Sequence, residues 1–498
     1  MAKSCAELFR GLPCTIIGNP EEEISGLAYN SSQVKPGDAF FCIVGTKVDG
    51  HSFVQDAIDH GAKVIVAERK VYLADATDVT EIIVSDSRKA MARIAARFYG
   101  LPSESFSLVG VTGTNGKTTT TFLTEHIASL AGLKTGVIGT VGISIGSERR
   151  PSERTTPESV NLQHLFADMR DANCDMVVME VSSHALDLER TWGSKFAVTA
   201  FSNLTQDHLD YHRTFEAYFE AKARLFSTDY PAKRVICIDD EWGRELLKRC
   251  SVRDEDIITC GFDRSAQIHP VEVEYFPTHT HLLVEVRGNR YEIDYPLVGR
   301  FNVSNVMLAL GIGIQLGISA DVVVAALDDA PQVPGRLQRV NVANDGGVSV
   351  YVDYAHTPDA LTKALDAVRQ LTDGRVIVVF GCGGDRDAGK RPLMGQAALA
   401  ADFAVVTSDN PRTEDPNAII ADILAGMPAP EEERYAVEPD RRAAIACAIS
   451  HAKAGDVILV AGKGHEDYQL VGDQVLSFDD VKVAAEELDA KFQLDGRE

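Results

Sequence analysis

The stretch GVTGTNGKTTT at residues 110–120 constrains the fold of this chain most strongly. It follows an apolar run at 107–111 and precedes a helical pattern at 122–127, which together predict a strand, a glycine-rich loop and a helix. A loop in this setting binds phosphate through backbone N–H groups, a lysine charge and the positive end of the helix. We expect Lys117 to contact phosphate and Thr118 to bind magnesium.

The loop departs from the strict phosphate-loop pattern at one position. That pattern places a glycine five residues before Gly116, where this chain has Val111. The alternative interpretation is a glycine-rich turn with a surface lysine. The strand and helix predicted on either side favour phosphate binding.

The length of the chain predicts several domains. Its 498 residues exceed one hydrophobic core, since domains usually span about 100 to 200 residues. Strand-like runs alternate with helical stretches, which predicts the α/β fold class with parallel sheets. We predict a small N-terminal α/β domain at 1–88, a central phosphate-loop domain with an ATPase-like parallel sheet at 89–332, and a C-terminal Rossmann-like α/β domain at 333–498.

The predicted strands of the last domain share one kind of ending. Each runs into small, polar or charged residues, in the stretches DYAHTPDA, GCGGDRDAGKR, TSDNPR and AGKGHED. Ligands bind at the carboxyl ends of parallel strands, so we expect these four exits to face one site. The strands predicted across the chain lie at 39–44, 63–67, 107–111, 135–139, 176–180, 196–200, 234–238, 348–352, 376–380, 403–406 and 457–460, with a helix at 88–99 and antiparallel strands within 268–296.

Charge and cysteine content exclude several classes of protein. A formal net charge of −24 and the lack of a basic cluster argue against general nucleic-acid binding. The nine cysteines form no CxxC pair, which predicts reduced thiols without disulfides. The first residues lack a secretion signal, and no apolar run reaches the roughly 18 residues of a membrane span. We expect a cytoplasmic protein without membrane insertion.

A buried strand delivers a carboxylate in the stretch MEVSSHALDLER. Glu180 stands at the predicted carboxyl end, followed by Ser182 and Ser183. Magnesium prefers one or two carboxylates with water, so Glu180 is a candidate ligand. The serines are equally typical of a helix cap.

Histidines recur at helical spacing in NLTQDHLDYH. His208 and His212 stand four residues apart, with Asp207 and Asp210 between them. That spacing can bind zinc on a helix, but the glutamate of the HExxH pattern is missing. Use of His208 near magnesium and ordinary hydrogen bonding are the other two interpretations.

Two further stretches allow more than one interpretation. Lys222, in YFEAKARLF, is expected from its helical context to be a solvated charge. In GRFNVSNVMLAL, Arg300, Asn302 and Asn305 open a predicted helix. Their polar groups can face a nucleotide base or cap the helix.

Taken in order along the chain, these motifs resemble those of the Mur ligases of peptidoglycan synthesis. The resemblance covers essentially the whole chain and is strongest to the members that add the third amino acid. It implies ATP-dependent ligation, in which the γ-phosphate passes to the D-glutamate γ-carboxylate of UDP-N-acetylmuramoyl-L-alanyl-D-glutamate and an amino group then attacks the acyl phosphate. The motifs that carry it are 113–118, 180–184, Asp207-His208, 299–302 and 353–358.

The resemblance also implies roles for individual residues, with Mg2+ and ATP as the cofactor and co-substrate. Lys222 would be the carbamylated lysine of the family, a cation converted into a carboxylate-like metal ligand. The implied catalytic residues are Lys117, Glu180, His208 and Lys222, and the implied metal ligands are Thr118, Glu180, His208 and Lys222. The implied ATP-binding residues are Gly113, Thr114, Asn115, Gly116, Lys117, Thr118, Thr119, Asn302 and Arg336.

The UDP-muramoyl dipeptide is implied to bind across the first two domains. Some relatives carry Asp-Ser-Arg where this chain has Asn30-Ser31-Ser32, so the arginine is absent here. Thr155 and Thr156 can alternatively be part of a polar loop before Pro157. The implied residues are Ser31, Thr46, Lys47, Val48, Thr155, Thr156, Ser182 and Arg190.

The third amino acid is implied to be meso-diaminopimelate. Members that add it carry Asp-Asn-Pro-Arg at the strand exit, and Asp409-Asn410-Pro411-Arg412 is intact here. Diaminopimelate is lysine with one extra carboxylate, which an arginine can bind through two parallel hydrogen bonds. A surface arginine in a proline-rich turn is the alternative for Arg412 alone. The implied pocket comprises Arg386, Asp409, Asn410, Pro411, Arg412, Gly462 and Glu466, with Glu466 suited to an ammonium group and Arg386 to a carboxylate.

Two other functions share parts of this pattern. A folylpolyglutamate synthetase-like ligase has the same phosphate-loop plan, but the first 90 residues and the Asp-Asn-Pro-Arg stretch argue against it. A phosphate-loop switch or motor ATPase would leave the substrate-facing strand exits without a purpose. We expect small-molecule substrates only and a monomeric enzyme.

Overall fold

The structure is a computed structural model that describes residues 2–45, 48–71, 78–250, 253–428 and 434–495. The chain divides into two compact units. The first comprises the described residues up to Lys117 together with Ala128–Thr259 and Gly311–Ile318, and the second comprises Thr118–Ile127, Cys260–Leu310 and the described residues from Ser319 onward. Among the described helices, none is both long and apolar enough to cross a membrane.

A five-stranded sheet forms within the first 84 residues, with strand order β2-β7-β6-β5-β4. Strands β4 to β7 are parallel and β2 is antiparallel. The helix predicted at 88–99 begins after Asp86, whose carboxylate accepts hydrogen bonds from two backbone N–H groups of the first turn. The elements are β1 (Lys3–Ser4), α1 (Cys5–Phe9), β2 (Cys14–Ile17), β3 (Glu23–Ile24), β4 (Gly26–Ala28), β5 (Asp38–Phe41), α2 (Val54–Asp59), β6 (Val64–Ala67), β7 (Thr80–Val84) and α3 (Ser87–Phe98).

The central sheet has strand order β11-β10-β9-β12-β8-β13-β14-β15. Strands β9, β12, β8, β13 and β14 are parallel, as their alternation with helices predicted. The elements are β8 (Ser107–Thr112), α4 (Lys117–Leu130), β9 (Thr135–Gly139), β10 (Gly142–Ile145), β11 (Glu148–Arg150), α5 (Ser159–Asp171), β12 (Met176–Glu180), α6 (Ser183–Asp187), β13 (Val198–Phe201), α7 (Leu209–His212), α8 (Phe215–Ala223), β14 (Lys233–Cys237), α9 (Glu241–Arg249) and β15 (Ile257–Cys260).

Three antiparallel strands follow, which confirms the alternation predicted within 268–296. Every second residue of the middle strand is buried, since one face of this meander is covered. The elements are β16 (Ile268–Tyr275), β17 (Thr280–Val286), β18 (Asn289–Tyr295), α10 (Arg300–Gln315) and α11 (Ala320–Asp328).

The last sheet has strand order β19-β20-β24-β21-β22-β23, and all its strands except β19 are parallel. Its two faces are covered by separate apolar cores. Because the strands are parallel, the exits of β20, β24, β21 and β22 lie along one edge, as predicted. The elements are β19 (Gln338–Arg339), β20 (Ser349–Asp353), α12 (Pro358–Arg369), β21 (Val376–Phe380), α13 (Lys390–Ala398), β22 (Phe403–Val406), α14 (Pro416–Leu424), β23 (Tyr435–Val437), α15 (Arg441–His451), β24 (Val457–Ala461), β25 (Tyr468–Val471), β26 (Gln474–Ser477) and α16 (Asp480–Asp495).

Candidate functional site

The glycine-rich loop connects β8 to α4 in the arrangement predicted for a phosphate loop. Gly113 has a φ of 147°, and a Cβ there would lie 1.9 Å from the hydroxyl oxygen of Ser202. The N–H of Thr114 donates to the carbonyl of Asn203 at 2.8 Å, and the N–H of Asn115 donates to the Asn203 side chain at 3.0 Å. The segment after β13 therefore holds the loop in shape, and only glycine fits at residue 113.

Two lysines converge on the carbonyl of Gly113. Lys117 Nζ donates to this oxygen at 3.0 Å and to the Thr114 carbonyl at 2.8 Å. Lys222 Nζ donates to the same Gly113 oxygen at 2.7 Å. Two lysine side chains therefore meet at one loop, and the charge of Lys117 supplies the local positive charge that a polyanionic ligand requires in this acidic protein.

Lys222 is buried, so the expectation of a solvated charge is wrong. Lys222 is 1 % exposed, and its Nζ lies 4.6 Å from the ring centre of Tyr218. Burial lowers the pKa of Lys222 well below its ordinary value, and the positive charge of Lys117 lowers it further. The uncharged amine, which is the nucleophilic form, is thereby favoured.

Glu180 ends β12 inside the protein. Its carboxylate accepts hydrogen bonds from the N–H of Thr140 at 2.8 Å and from the Thr140 hydroxyl at 3.2 Å. A Cβ at residue 139 would lie 2.5 Å from Glu180 Oε1, so a larger residue there would displace the carboxylate. The loop after β9 therefore sets the position of Glu180.

A hydrogen-bonded chain leads from this carboxylate to several residues implied for the dipeptide. The Thr140 hydroxyl lies 3.0 Å from that of Thr155. Thr156 donates to the Glu180 carbonyl at 2.8 Å and accepts from the N–H of Ser182 at 3.1 Å. Arg190 donates to the Thr156 carbonyl at 3.0 Å. The structure thus brings Thr155, Thr156, Ser182 and Arg190 together around Glu180.

The guanidinium of Arg190 is held by a second, buried acid. Glu158 Oε1 lies 2.8 Å from Arg190 Nη2, and both side chains are nearly inaccessible to solvent. Burial lowers the pKa of Arg190, while Glu158 opposes that shift. Glu158 was not singled out from the sequence, because an acid just before a helix is most often a surface residue.

His208 belongs to a cluster of rings and not to a straight helical pair with His212. Its backbone is left-handed, with a φ of 53°, and its ring lies 4.8 Å from that of His184. His212 is buried and lies 2.9 Å from the hydroxyl of Ser183. Burial lowers the pKa of His208, which favours the neutral imidazole. Within the described residues no group of three or more acids, histidines or cysteines is arranged to hold a metal.

The helix-cap interpretation of the serines applies to Ser182. Its hydroxyl accepts a hydrogen bond from the N–H of Ala185 at 3.1 Å at the start of α6. The neighbouring Ser183 instead contacts His212.

In the N-terminal region, Ser31 is buried in a short 3₁₀ turn at Ser31–Gln33. Asn30 accepts hydrogen bonds from the N–H and hydroxyl of Ser32 at 3.1 Å and 3.0 Å, so the asparagine caps the turn as an aspartate can. Val48 is 54 % exposed. Thr46 and Lys47 lie outside the described residues.

Arg336 contacts the phosphate-loop helix within the second unit. Its Nη2 donates to the hydroxyl of Thr118 at 3.0 Å, and its guanidinium lies 5.1 Å from the ring centre of Tyr354. Thr118 and the adjacent Thr119 are buried. No local sequence pattern predicts that Arg336 contacts a threonine 218 positions earlier.

Asn302 is fully buried in the first turn of α10. Its amide donates to the Val298 carbonyl at 2.8 Å and accepts from Asn305 at 3.0 Å. These contacts lie at and just before the start of α10, and the role of Asn302 in binding a base remains a prediction.

The exits of β22 and β24 meet in the C-terminal sheet. Asn410 Nδ2 donates to Glu466 Oε2 at 2.8 Å. Gly462 has a φ of 115°, and a Cβ there would lie 2.7 Å from Asp409 Oδ2. The structure therefore brings together Asp409, Asn410, Gly462 and Glu466, all of which were implied for the amino-acid pocket.

Arg412 has a left-handed backbone, with a φ of 53°. Its Nη1 donates to the carbonyl of Gly384 at 2.8 Å, which joins the exit of β22 to that of β21. Its N–H donates to the carbonyl of Leu470 at 3.0 Å, and its own carbonyl accepts from Gly472 at 2.7 Å. The backbone of Arg412 is thus paired with the β25–β26 hairpin. The surface-turn interpretation did not predict this restraint.

A carboxylate clamp connects the loop of Arg386 to that of Arg412. Glu414 accepts hydrogen bonds from the N–H of Asp385 and, at 2.8 Å, from Arg391. Arg386 itself is exposed. Asp415 accepts from the N–H of Asn417 at 2.9 Å and caps α14. The acids of TSDNPRTEDP thus fix the loop and start the next helix.

Comparison with protein-family models shows matches in three segments. Residues 23–99 match the Mur ligase family catalytic domain, residues 111–313 match the Mur ligase middle domain, and residues 335–464 match the glutamate ligase domain of Mur ligases. Together these segments cover most of the chain.

Similar proteins cover nearly the whole length. The UDP-N-acetylmuramoyl-L-alanyl-D-glutamate–2,6-diaminopimelate ligase of Syntrophomonas wolfei subsp. wolfei is 45% identical over 492 residues, which cover 98% of this chain and 99% of that protein. The ligase of the same name from Clostridium botulinum is 44% identical, with 96% and 98% covered. A solved structure of a ligase with this name has a TM-score of 0.72 and 33% identity, covering 99% of this chain and 100% of that one.

Proposed function

The chain belongs to the Mur ligase family, and on that premise we propose that it ligates meso-diaminopimelate to UDP-N-acetylmuramoyl-L-alanyl-D-glutamate in peptidoglycan precursor synthesis. It is an ATP-dependent ligase that forms an amide. The observation that carries the choice of amino acid is the intact Asp409–Arg412 stretch, with Arg412 restrained beside the Asn410–Glu466 pair. Relatives at 42–45% identity are named for 2,6-diaminopimelate.

In the first step, the γ-phosphate of ATP passes to the D-glutamate γ-carboxylate, forming an acyl phosphate and releasing ADP. The loop N–H groups, Lys117 and the start of α4 would bind the phosphates. Lys117 already donates to two loop carbonyls, and its ammonium can exchange these for phosphate oxygens. Gly113–Thr119, Asn302 and Arg336 are the proposed ATP-binding residues.

Magnesium fits Thr118 and Glu180 among the proposed ligands because they supply oxygen donors, which this ion prefers. Thr118 offers a hydroxyl and Glu180 a carboxylate that Thr140 orients. His208 would complete the set with its neutral imidazole. When bound, the ion neutralises charge on the phosphates during transfer.

Carbamylation of Lys222 would add another oxygen donor. The buried amine adds CO2 and loses one proton, which leaves an N-carboxylate on Nζ. Burial of Lys222 and its contact with the phosphate loop support this proposal, because a neutral amine reacts with CO2 and an ammonium does not. The product carries a negative charge where the phosphate loop concentrates positive charge.

In the second step, the amine of the amino acid attacks the acyl phosphate, and phosphate leaves as the amide forms. Arg412 would bind the distal carboxylate through a paired hydrogen bond, and Glu466 would bind an ammonium group. The hydrogen-bonded chain of the central domain would hold the dipeptide, through Thr155, Thr156, Ser182 and Arg190. The UDP part of the same substrate would lie near Ser31, Thr46, Lys47 and Val48. Arg386, Asp409, Pro411 and Gly462 would complete the amino-acid pocket.

The domain limits 1–88, 89–332 and 333–498 are part of the same proposal, as are a cytoplasmic location and a monomeric enzyme. UDP-linked substrate, diaminopimelate and ATP are small molecules, so no macromolecular partner is required for the reaction.

Phosphate release tests the proposed function directly. The protein is incubated with ATP and magnesium, and either substrate is omitted in turn. Phosphate should appear only when both the UDP-muramoyl dipeptide and meso-diaminopimelate are present, together with a product one amino acid larger by mass spectrometry. Release that does not depend on either substrate would show an ATPase and not this ligase.

A further inference from the structure

Lys463 is a buried cation that the proposed mechanism does not use. It stands between Gly462 and Gly464, just after β24, and its side chain is 0 % exposed. A lysine in this setting loses its hydration, so its ammonium requires acceptors inside the protein. Its contacts therefore identify the groups that depend on it.

The ammonium of Lys463 lies among three acceptors. It donates to Asn410 Oδ1 at 3.4 Å and to the carbonyl of Tyr468, and it lies 3.7 Å from Glu466 Oε2. Asn410 and Glu466 are also bonded to each other, at 2.8 Å. Lysine, amide and carboxylate thus form a closed triangle at the proposed amino-acid pocket.

The triangle fixes the orientation of the Asn410 amide. Its oxygen accepts from Lys463 and, at 2.9 Å, from the N–H of Leu470. Its nitrogen therefore faces Glu466 and donates there. Lys463 and the N–H of Leu470 are the two donors that hold the amide oxygen in place. Without the lysine, only the N–H of Leu470 remains.

The same contacts leave Glu466 with its two oxygens in different roles. Asn410 and Lys463 both contact Oε2, whereas Oε1 has no bonding partner within the described part of the chain. A carboxylate anchored at one oxygen presents the other in a fixed direction. Oε1 is then the atom that meets the ammonium group of an incoming amino acid.

We propose that Lys463 is a positioning residue for amino-acid recognition, holding Asn410 and the Glu466 carboxylate so that Glu466 Oε1 binds an ammonium group of the incoming amino acid. This inference rests on the proposed function, since it assigns the pocket to that substrate. It predicts a role in binding the amino acid and none in binding ATP or the UDP-linked dipeptide.

Charged and titratable groups surround Glu466 from several elements. Lys463, Arg412 and Arg441 are cationic, Asp409 is anionic, and Tyr354 and Tyr468 are neutral phenols. Burial raises the pKa of Glu466, and Lys463 is the leading opposing influence. Removal of the Lys463 charge should therefore raise that pKa further and shift the acid limb of the pH profile to higher pH.

The test compares Lys463→Met with the unmodified protein. Methionine keeps much of the chain volume but has no charge and no donor. The KM for meso-diaminopimelate should rise about ten- to a hundredfold, the scale of lost hydrogen bonds to charged groups. The KM values for ATP and the UDP-muramoyl dipeptide should change by less than about twofold, because ordinary substitutions away from a site have small effects. The acid limb of kcat/KM for the amino acid should move upward in pH.

Lys482→Met provides a matched control. Lys482 lies in the same unit on α16, its side chain is 76 % exposed, and its ion pair with Asp479 spans 3.2 Å at the surface. This variant should match the unmodified protein in all three KM values. An unchanged KM for diaminopimelate and an unmoved acid limb in a folded Lys463→Met variant would overturn the inference while leaving the proposed function intact.

A second variant decides the question if Lys463→Met does not fold, as judged by ADP binding and thermal unfolding. Lys463→Arg keeps the charge, but a planar guanidinium cannot match the three acceptors around a compact ammonium. Its KM for diaminopimelate should also rise selectively, and an unchanged value would overturn the inference. Absence of ligation by the unmodified protein would instead refute the proposed function.

Discussion

The strand exits of the central sheet and those of the C-terminal sheet both collect charged side chains, but they compensate the charge differently. At the central sheet, Nζ of Lys222 is bonded to the carbonyl of Gly113 and lies against the ring of Tyr218. At the C-terminal sheet, Lys463 lies beside Glu466, and the buried Arg441 is paired with Asp480 at 2.6 Å. The Lys222 amine lies beside a carbonyl and an aromatic ring in the first region, whereas the cations of the second region lie beside carboxylates.

The difference corresponds to two kinds of ligand. A nucleotide carries several negative charges, so a site for it gains from nearby positive charge. An amino acid carries both signs of charge, so its site has to present both and reject analogues that lack one of them. The predictions below alter one region at a time and measure whether the other responds.

The largest expected effect is discrimination between amino acids. The unmodified protein should use meso-diaminopimelate over lysine by about 10⁴-fold in kcat/KM, because Arg412 would be left without a carboxylate partner by lysine. Arg412→Lys should remove most of this preference, since an ammonium cannot form the paired hydrogen bonds of a guanidinium. Product formation with each amino acid measures the ratio.

ADP affinity serves as the control for Arg412→Lys and should stay near that of the unmodified protein. Equal rates with lysine and diaminopimelate in the unmodified protein would contradict the role of Arg412. A parallel loss of ADP binding in the variant would show that the two regions are not separable.

Lys117→Ala should reduce phosphate release with both substrates present by about 10³-fold, because the variant loses a charge that stabilises the transferring phosphoryl group. Diaminopimelate binding should be retained. The matched control is Lys248→Ala, which removes a lysine that is 76 % exposed on α9, and it should leave the rate unchanged. A rate close to normal for Lys117→Ala would exclude the loop as the phosphate site.

Lys222→Met should lower the ligation rate by about 10²-fold, the scale expected when one group that stabilises transition-state charge is lost. Mass spectrometry of gently handled unmodified protein should find the peptide containing Lys222 heavier by one CO2. Removal of CO2 should lower the activity and bicarbonate should restore it, whereas the variant should respond to neither treatment. A fully active enzyme without CO2 would contradict carbamylation.

The smallest expected effect concerns the clamp between the two arginine loops. Glu414→Gln weakens the contact with Arg391 and should raise the KM for diaminopimelate about threefold, because partly exposed ion pairs contribute little. Hydrogen bonding from Arg391 lowers the pKa of Glu414, so the clamp is ionised at neutral pH and is lost only as the pH falls through that lowered value. Asp422→Asn is the control, because Asp422 is the other acid that contacts Arg391, at 2.9 Å. The KM of this variant for diaminopimelate should not change.

Local sequence predicted the regular framework well. The strands expected at 135–139, 176–180 and 376–380 occur with the same limits, because apolar runs bounded by helical stretches specify a buried parallel strand. The phosphate loop was equally predictable, since its glycines, lysine and threonine are close together in sequence. The alignment of four strand exits then follows from parallel topology alone.

The burial of Lys222 and Lys463 could not be predicted in this way. Lys222 is bonded to a carbonyl 109 positions away, and a helix with a lysine in its last turn normally exposes it. Lys463 stands between glycines that indicate a mobile loop, and it is buried by contact with Tyr468 and Asn410. In both cases the decisive partner is distant in sequence, where periodicity carries no information.

The pairing of Arg412 with the β25–β26 hairpin has a practical consequence for redesign. Leu470 and Gly472 bond the backbone of Arg412, Leu470 also bonds Asn410, and Gln469 donates to the Asp409 carbonyl at 2.6 Å. The loop of Arg412 and the β25–β26 hairpin are therefore held together as one hydrogen-bonded structure. Converting a lysine-adding relative to diaminopimelate specificity would require transfer of both segments. An arginine introduced alone would lack the hairpin contacts that orient the loop.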